Sequence, residues 1–275
     1  MAENHAPRSK GPVLVLYTEL APYVLACLNS LVERTGTELH LVRWPVNNEA
    51  PFALEFHPRI TVHERASLSD DGLVALVRRL RPGLVITSGW VDAGYLRASA
   101  AAKRAGAVSV IALDTAWRGH WKQWANVLLA RWNLHRAFSH AWVTGRAQAR
   151  YALRLGFAEE RIRTGFYAAD TPLFLPLGER LLAERASGWP HRFLCVARYI
   201  PTKGQQLLCD AFAELCDAGE AGDWELWLAG TGELHDQVVA SPSGRHARIR
   251  HLGFKQPGEM MPVVAQCGAF VLPST

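Results

Sequence analysis

Two cations stand five residues apart in Phe193-Leu-Cys-Val-Ala-Arg-Tyr-Ile-Pro-Thr-Lys-Gly204. The apolar run at its start predicts a buried strand that delivers Arg198 into a loop, and Lys203-Gly204 then opens the next helix. Backbone N–H groups are open at a helix N-terminus, so this arrangement suits a diphosphate, with Arg198 as a two-pronged donor and Lys203 as a point charge. The plain alternative is a pair of solvated charges on a loop. Ala229-Gly-Thr-Gly-Glu233 follows the next apolar run, and Gly230 and Gly232 around Thr231 would let backbone approach a ligand. A lone G-x-G is usually a tight turn; behind the Arg/Lys loop it carries more weight. In the first half, Asp114-Thr-Ala-Trp-Arg-Gly-His120 places a carboxylate and an imidazole after another apolar run. Asp114 and His120 are both candidates for contacts to an acceptor or a sugar, and the residues alone do not rank them.

These groups need a frame. Short apolar runs at Val13–Tyr17, Leu39–Val42, Ile60–His63, Leu84–Thr87, Val108–Leu113 and Ala141–Thr144 alternate with amphipathic patterns near Val24–Arg34, Asp70–Leu80, Asp92–Arg104, Trp117–Phe138 and Ala147–Leu155. Near-continuous apolar strands separated by helices imply a parallel sheet covered on both faces, with ligands at the carboxyl ends of its strands. Asp170-Thr-Pro-Leu-Phe174-Leu-Pro176 carries two prolines and reads as a linker. Strand and helix patterns restart at Arg192–Ala197, Gly204–Leu215, Trp224–Ala229, Leu234–Val239, Ile249–Leu252, Glu259–Ala265 and Ala269–Leu272. The expected organisation is an α/β chain of two Rossmann-like doubly wound domains: an acceptor-side domain over 1–170, a linker over 171–190, and a partial second domain over 191–275. The second is expected to be incomplete because the chain stops at Leu272-Pro-Ser-Thr275, directly after a strand.

Composition narrows the class. The 275 residues are 49% hydrophobic and 20% charged, with 22 Gly and 15 Pro, which excludes disordered, collagen-like and small disulfide-scaffold chains. Net charge is +5 and uneven: residues 1–170 hold 21 Lys/Arg against 14 Asp/Glu, residues 171–275 hold 9 against 11. A basic first half is compatible with anionic lipid, an anionic small molecule or nucleic acid. Cys27, Cys195, Cys209, Cys216 and Cys267 form no C-x-x-C pair and read as reduced thiols of a cytosolic protein. Arg8 and Lys10 precede an apolar run from Gly11 to Leu31, but Glu19 and Pro22 interrupt it, so it is not read as a signal peptide. With no uncharged apolar stretch of membrane-spanning length, the expectation is a soluble, cytoplasmic protein.

Taken together, the motifs resemble the nucleotide-binding domain of the retaining GT-B glycosyltransferases of family 4, also called group 1. Val196-Ala-Arg198 followed by Lys203-Gly204 looks like that family's G-R-x(n)-K-G diphosphate loop, with Ala197 where the family has glycine. Trp227-Leu-Ala-Gly230-Thr-Gly232 is similar to its strand and G-x-G turn. His251-Leu-Gly253-Phe fits its "v-x-F-x-G" strand in shifted form, and Phe270-Val-Leu-Pro273-Ser274 its "P-S" strand end. Ala169-Asp170-Thr-Pro-Leu-Phe174 is similar to the "G-v-D-x-x-x-F" element closing the family's first domain.

The resemblance implies transfer of a sugar from a nucleotide-diphosphate donor to a saccharide or lipid-linked acceptor, with retention at the anomeric carbon. Arg198 and Lys203 would hold the diphosphate and stabilise the leaving group; Gly204, Gly230, Thr231, Gly232, Pro273 and Ser274 would line the donor. Asp114 and His120 join the catalytic candidates, and Thr18, Glu19 and Trp117 the acceptor side, where Thr18-Glu-Leu-Ala-Pro22 replaces the family's glycine-rich loop. It implies no cofactor beyond the nucleotide-sugar substrate and no metal, and a role in cell-envelope polysaccharide synthesis. The family's E-x7-E element would begin past Thr275; its absence points to a C-terminal truncation. The alternative is a non-catalytic fragment or degenerate partner that at most binds nucleotide.

Trp117, Trp121, Trp124, Leu128 and Trp132 recur at helical spacing, flanked by Arg118, Lys122 and Arg136. Such a stripe is expected to face the core. The alternatives are a membrane-surface helix giving peripheral contact with the inner membrane, and a single-stranded nucleic-acid face, which no RNP, KH or helix-turn-helix signature supports. His135 and His140 lack a ligand-spaced partner. Asp70-Asp71 read as helix caps, and Arg78, Arg79 and Arg81 as a basic helix end.

Overall fold

A computed structural model describes residues 11–185 and 188–274, so Arg8, Lys10 and Thr275 lie outside the described residues. The chain divides into two compact units, one comprising residues up to Pro45 with Leu54–Ala169, the other Val46–Ala53 with Asp170 onward.

The first unit has the strands β1 (Val13–Tyr17), β2 (Leu39–Arg43), β3 (Ile60–Glu64), β4 (Leu84–Ser88), β5 (Val108–Leu113), β6 (His140–Val143) and β7 (Ile162–Thr164). They pair in parallel in the order β3-β2-β1-β4-β5-β6-β7. Helices α1 (Pro22–Thr35), α2 (Asp70–Leu80), α3 (Ala93–Arg104), α4 (Trp121–Ala137) and α5 (Arg146–Arg154) connect them. The run Gly11–Leu31 is therefore β1 and most of α1. Strand β1 is buried throughout, and its period of two splits the core. Val13, Val15 and Tyr17 pack with Val24, Leu25, Leu28 and Val32 of α1. Leu14 and Leu16 pack with Leu73, Leu76 and Val77 of α2 and Tyr95 and Ala98 of α3. Each such aliphatic side chain removed from water contributes about 1.5–3 kcal/mol, which is why this strand can be apolar at every position.

Local signals set the helix ends. Pro22 starts α1, where its missing N–H loses nothing, and Gly36 closes it in the left-handed region at φ 67°. Ser69, not Asp70, caps α2 by accepting from Gly72 N; Asp70 and Asp71 occupy its first turn. Arg65 ties the surrounding loops together. Its guanidinium reaches Asp92 at 2.8 Å and Asp70 at 2.6 Å, while Asp92 also accepts from Trp44 Nε1 at 3.0 Å and Tyr95 N at 3.1 Å.

The second unit carries α6 (Thr171–Glu184), β8 (Arg192–Val196), α7 (Gln205–Asp217), β9 (Glu225–Ala229), α8 (His235–Ala240), β10 (Ile249–Gly253), α9 (Pro257–Ala265) and β11 (Ala269–Phe270). Its sheet is parallel, in the order β10-β9-β8-β11. Leu226 and Leu228 of β9 face a cluster with Cys209 and Phe212 of α7; Trp227 and Ala229 face Met260 of α9. The segment expected to be a linker over 171–190 is largely helix α6. Pro172 sits in its first turn, Pro176 forfeits one backbone hydrogen bond, and burial of Leu177 and Leu181 outweighs that loss. Arg185, just past α6, donates to Val264 O and Ala265 O at the end of α9. Burial pushes the Cys195 and Cys267 thiols up to about 11 and Cys209 up to about 12, so these three act as small core hydrophobes.

Helix α4 overturns the core reading of the tryptophan stripe. The helix begins at Trp121, and its buried residues are Gln123, Ala130, Leu134 and Ala137. Trp121, Trp124, Leu128 and Trp132 face solvent. The small Ala130 and Ala137 allow close approach to the body of the unit, and Gln123 is held by Arg118 N and Ala116 O. Only Trp117, ahead of the helix, packs inward, against Tyr151 at 5.5 Å between ring centroids.

Candidate functional site

The sharpest convergence lies at the carboxyl ends of β8, β9 and β11. Strand β8 ends at Val196; Ala197 N donates to Ala229 O, Tyr199 N to Thr231 O, and Leu234 N returns to Tyr199 O. The loop carrying Arg198 is thus laced to the turn after β9. Gln205 at the start of α7 is buried and its Nε2 donates to Arg198 O at 2.6 Å, fixing the backbone from below. Tyr199 is buried, with its hydroxyl 2.9 Å from His251 Nδ1, while His251 Nε2 lies 3.0 Å from Gly244 O. A carbonyl only accepts, so His251 carries its proton on Nε2 and Tyr199 donates to Nδ1. Burial holds this imidazole below its ordinary range.

The glycines fill a tighter role than the sequence indicated. A Cβ on Gly230 (φ 135°) would lie 2.1 Å from Ala197 O, and one on Gly232 (φ 151°) would lie 2.7 Å from Tyr199 O. The close approach they permit is that of the Ala197–Tyr199 backbone. Gly204 (φ 67°) does the same for the far side, where a Cβ would meet Pro273 O at 2.7 Å. Lys203 Nζ stands 3.5 Å from Ser274 Oγ. Arg198, Lys203, Gly204, Gly230, Thr231, Gly232, Pro273 and Ser274 are therefore assembled in one place. Lys203 precedes the positive end of the α7 dipole, an arrangement that an anion bound there would stabilise.

Residues 46–53, part of this unit, add a group that sequence reasoning missed. Arg198 Nη1 lies 3.6 Å from Glu49 Oε2, with both side chains about two-fifths exposed (41% and 37%). Glu49 O accepts from Thr231 Oγ1 at 2.6 Å. Gln256, the cap of α9, grips the same segment, donating to Pro51 O and accepting from Ala53 N. Nothing in the sequence links Glu49 to a loop so far along the chain.

In the first unit the candidates spread over the carboxyl edge of the sheet. Thr18 follows β1 at the point where strand order reverses, and its N–H donates to Ser88 Oγ at 2.9 Å; Glu19 is exposed. Asp114 follows β5, is exposed, and accepts from Tyr167 OH at 3.1 Å. Tyr167 meets Tyr23 edge-on at 5.5 Å, and with Tyr17, Trp142 and Phe166 they line a cavity of about 30 Å³. Burial raises the Tyr17 and Tyr167 phenols above their ordinary range, so both stay protonated donors. Tyr167 is a second residue the sequence did not single out. His120 stands at the start of α4 with its side chain in solvent. Trp117 is covered on one face by Arg154 at 4.8 Å, which removes much of its freedom to meet an acceptor. His135 is bonded to Leu155 O and His140 to Ser139. Among the described residues, no group of three His, Cys, Asp or Glu could hold a metal ion.

Solved structures share this architecture along nearly the whole chain. HepE of Anabaena, in complex with UDP and glucose, aligns with a TM-score of 0.64 at 14% identity, covering 94% of this chain and 74% of that one. The fold is GT-B. The same GT-B architecture recurs in the catalytic domain of starch synthase IV from Arabidopsis thaliana, bound to ADP and acarbose (TM-score 0.60, 13% identity, 96% and 78% covered). It also recurs in UDP-N-acetylglucosamine 2-epimerase from Rickettsia bellii (0.56, 12%, 93% and 71%). Residues 190–275 match the family model for group 1 glycosyl transferases. No curated protein matches in sequence.

Proposed function

We propose that this GT-B chain transfers a sugar from a nucleotide-diphosphate donor to a saccharide or lipid-linked acceptor with retention of anomeric configuration. The observation that carries the reading is the meeting of Arg198, Lys203 and the α7 N-terminus with the Gly230–Gly232 turn and Pro273–Ser274, inside the segment that matches the group 1 family model. Charge develops on the diphosphate as the glycosidic bond to it breaks. Gln205 and the β9 turn hold the backbone that carries Arg198, and Arg198, exchanging Glu49 for the diphosphate, would neutralise that charge together with Lys203. The comparison proteins with UDP or ADP bound support a nucleoside diphosphate as the donor half. Asp114, held by Tyr167, and His120 are the groups of the first unit proposed to meet sugar or acceptor hydroxyls, near Thr18 and Glu19. A role in cell-envelope polysaccharide synthesis is part of the same reading.

Calorimetric titration with UDP, GDP and ADP tests it. One nucleotide should bind, and Arg198→Ala with Lys203→Ala should weaken that binding at least about 100-fold, since each charged hydrogen-bonded contact is worth about 1.5–3 kcal/mol. Binding that survives the double change would overturn the site. Binding without consumption of any nucleotide-sugar would favour a non-catalytic nucleotide binder, and the anomer formed in early product, read by NMR, decides retention.

A further inference from the structure

Helix α4 turns its largest apolar side chains away from the protein. Trp121 is 74% exposed, Trp124 52%, Leu128 71%, Leu129 50% and Trp132 57%. At 100° per residue these five occupy one arc of the helix, centred on Trp121 and Trp132, opposite the arc of Gln123, Ala130, Leu134 and Ala137 that packs inward. Single exposed apolar residues need no explanation; a contiguous face of three indoles and two leucines does. The charge around it has one sign. Between Asp114 and Glu159 the chain has no acidic residue and seven Lys/Arg. Lys122 and Arg131 border the apolar arc on its two sides, and both are exposed. Helix α5 stacks Arg146, Arg150 and Arg154 one turn apart, all exposed, a like-charge row that destabilises a helix left in water. The two features touch: Arg154 lies over Trp117, whose ring is 5.0 Å from that of Trp124.

We propose that α4 and the arginine row of α5 form a docking face for an anionic phospholipid bilayer. The indoles and leucines enter the boundary between headgroups and acyl chains, and the bordering cations meet lipid phosphates. The helix lies in the plane of the surface; among the described residues no helix is long and apolar enough to cross it. A second copy of the chain is a poorer occupant, because a two-fold contact would set this basic rim against itself. Single-stranded nucleic acid is poorer too, since exposed Leu128 and Leu129 offer no stacking surface. The inference stands independently of sugar transfer.

The test is flotation of the purified chain with vesicles of phosphatidylglycerol and phosphatidylcholine, against phosphatidylcholine alone, at low and high salt. Anionic vesicles should bind it at least about tenfold better, and Arg146→Gln with Arg150→Gln should lower partition by about fivefold per cation. Trp121→Ser with Leu128→Ser should remove binding even at low salt, with an unchanged circular dichroism spectrum. For the unaltered protein, brominated acyl chains should quench tryptophan emission. Equal failure on both vesicle types without quenching would overturn the proposal. So would a dimer abolished by Trp121→Ser/Leu128→Ser, or an oligonucleotide bound through the same residues, in a protein that ignores vesicles.

Discussion

Replacing Gly230 by alanine tests whether the two loops of the second unit are as closely fitted as described. The new Cβ would lie 2.1 Å from Ala197 O, whereas such contacts essentially never fall below 3.0 Å, so the Ala197 carbonyl must move by roughly 1 Å. That shift strains the Ala197 N–Ala229 O bond and the grip of Gln205 on Arg198 O, each worth about 0.5–1.5 kcal/mol. A φ of 135° adds about 1–3 kcal/mol for a residue with a side chain. The expected loss is about 3–5 kcal/mol, a large part of the about 5–15 kcal/mol that holds a typical domain. Gly222→Ala is the control: it also has positive φ (53°), but nothing lies within 4 Å of its Cβ, and it should cost only about 1–2 kcal/mol. Urea unfolding followed by circular dichroism measures both. A Gly230→Ala midpoint within error of that of Gly222→Ala would refute the fitted-loop argument.

Other outcomes are equally direct. Glu49→Gln removes a half-exposed ion pair worth at most about 1 kcal/mol, so nucleoside-diphosphate affinity by calorimetry should rise no more than about fivefold; a fall would mean Glu49 helps to hold the ligand. Because burial lowers the His251 pKa, the unfolded chain takes up that proton first as pH drops through 6.5; the site's stability is full above that pH and shrinks below it. Urea midpoints should therefore fall between about pH 7.5 and about 5.5, and His251→Gln should flatten that dependence; an identical slope in both proteins would contradict it. Arg65→Ala leaves the Asp92 carboxylate, whose side chain is 7% exposed, without its cation, and thermal unfolding should show a loss of about 2–4 kcal/mol.

Strands β1 and β5 and helix α2 can be read from the residues to the terminal position, because β1 is apolar at every position, β5 at all but Ser109, and α2 carries its own cap. The two prolines of α6 mislead because only their place in the helix, one in the first turn, makes them tolerable. The face of α4 misleads for a different reason. Periodicity gives a stripe but not the direction it points, and here the alanine-rich side makes the closer approach. Arg198, Lys203 and the glycine turn are local in sequence and so could be found as motifs. Glu49 and Tyr167 come from other parts of the chain, and no local pattern announces a contact that only the fold creates.

The segment Val46–Ala53 has a consequence for how the protein is made. It belongs to the second unit, yet it is synthesised long before Asp170. Until Thr231 and Gln256 leave the ribosome, the carbonyls of Glu49 and Pro51 lack the side chains that donate to them in the folded protein. The second unit therefore cannot complete its fold from the residues after Asp170 alone; it also needs the earlier segment 46–53. Expressing residues 170–275 alone should thus give a weaker fold, restored when a peptide spanning 46–53 is added in trans.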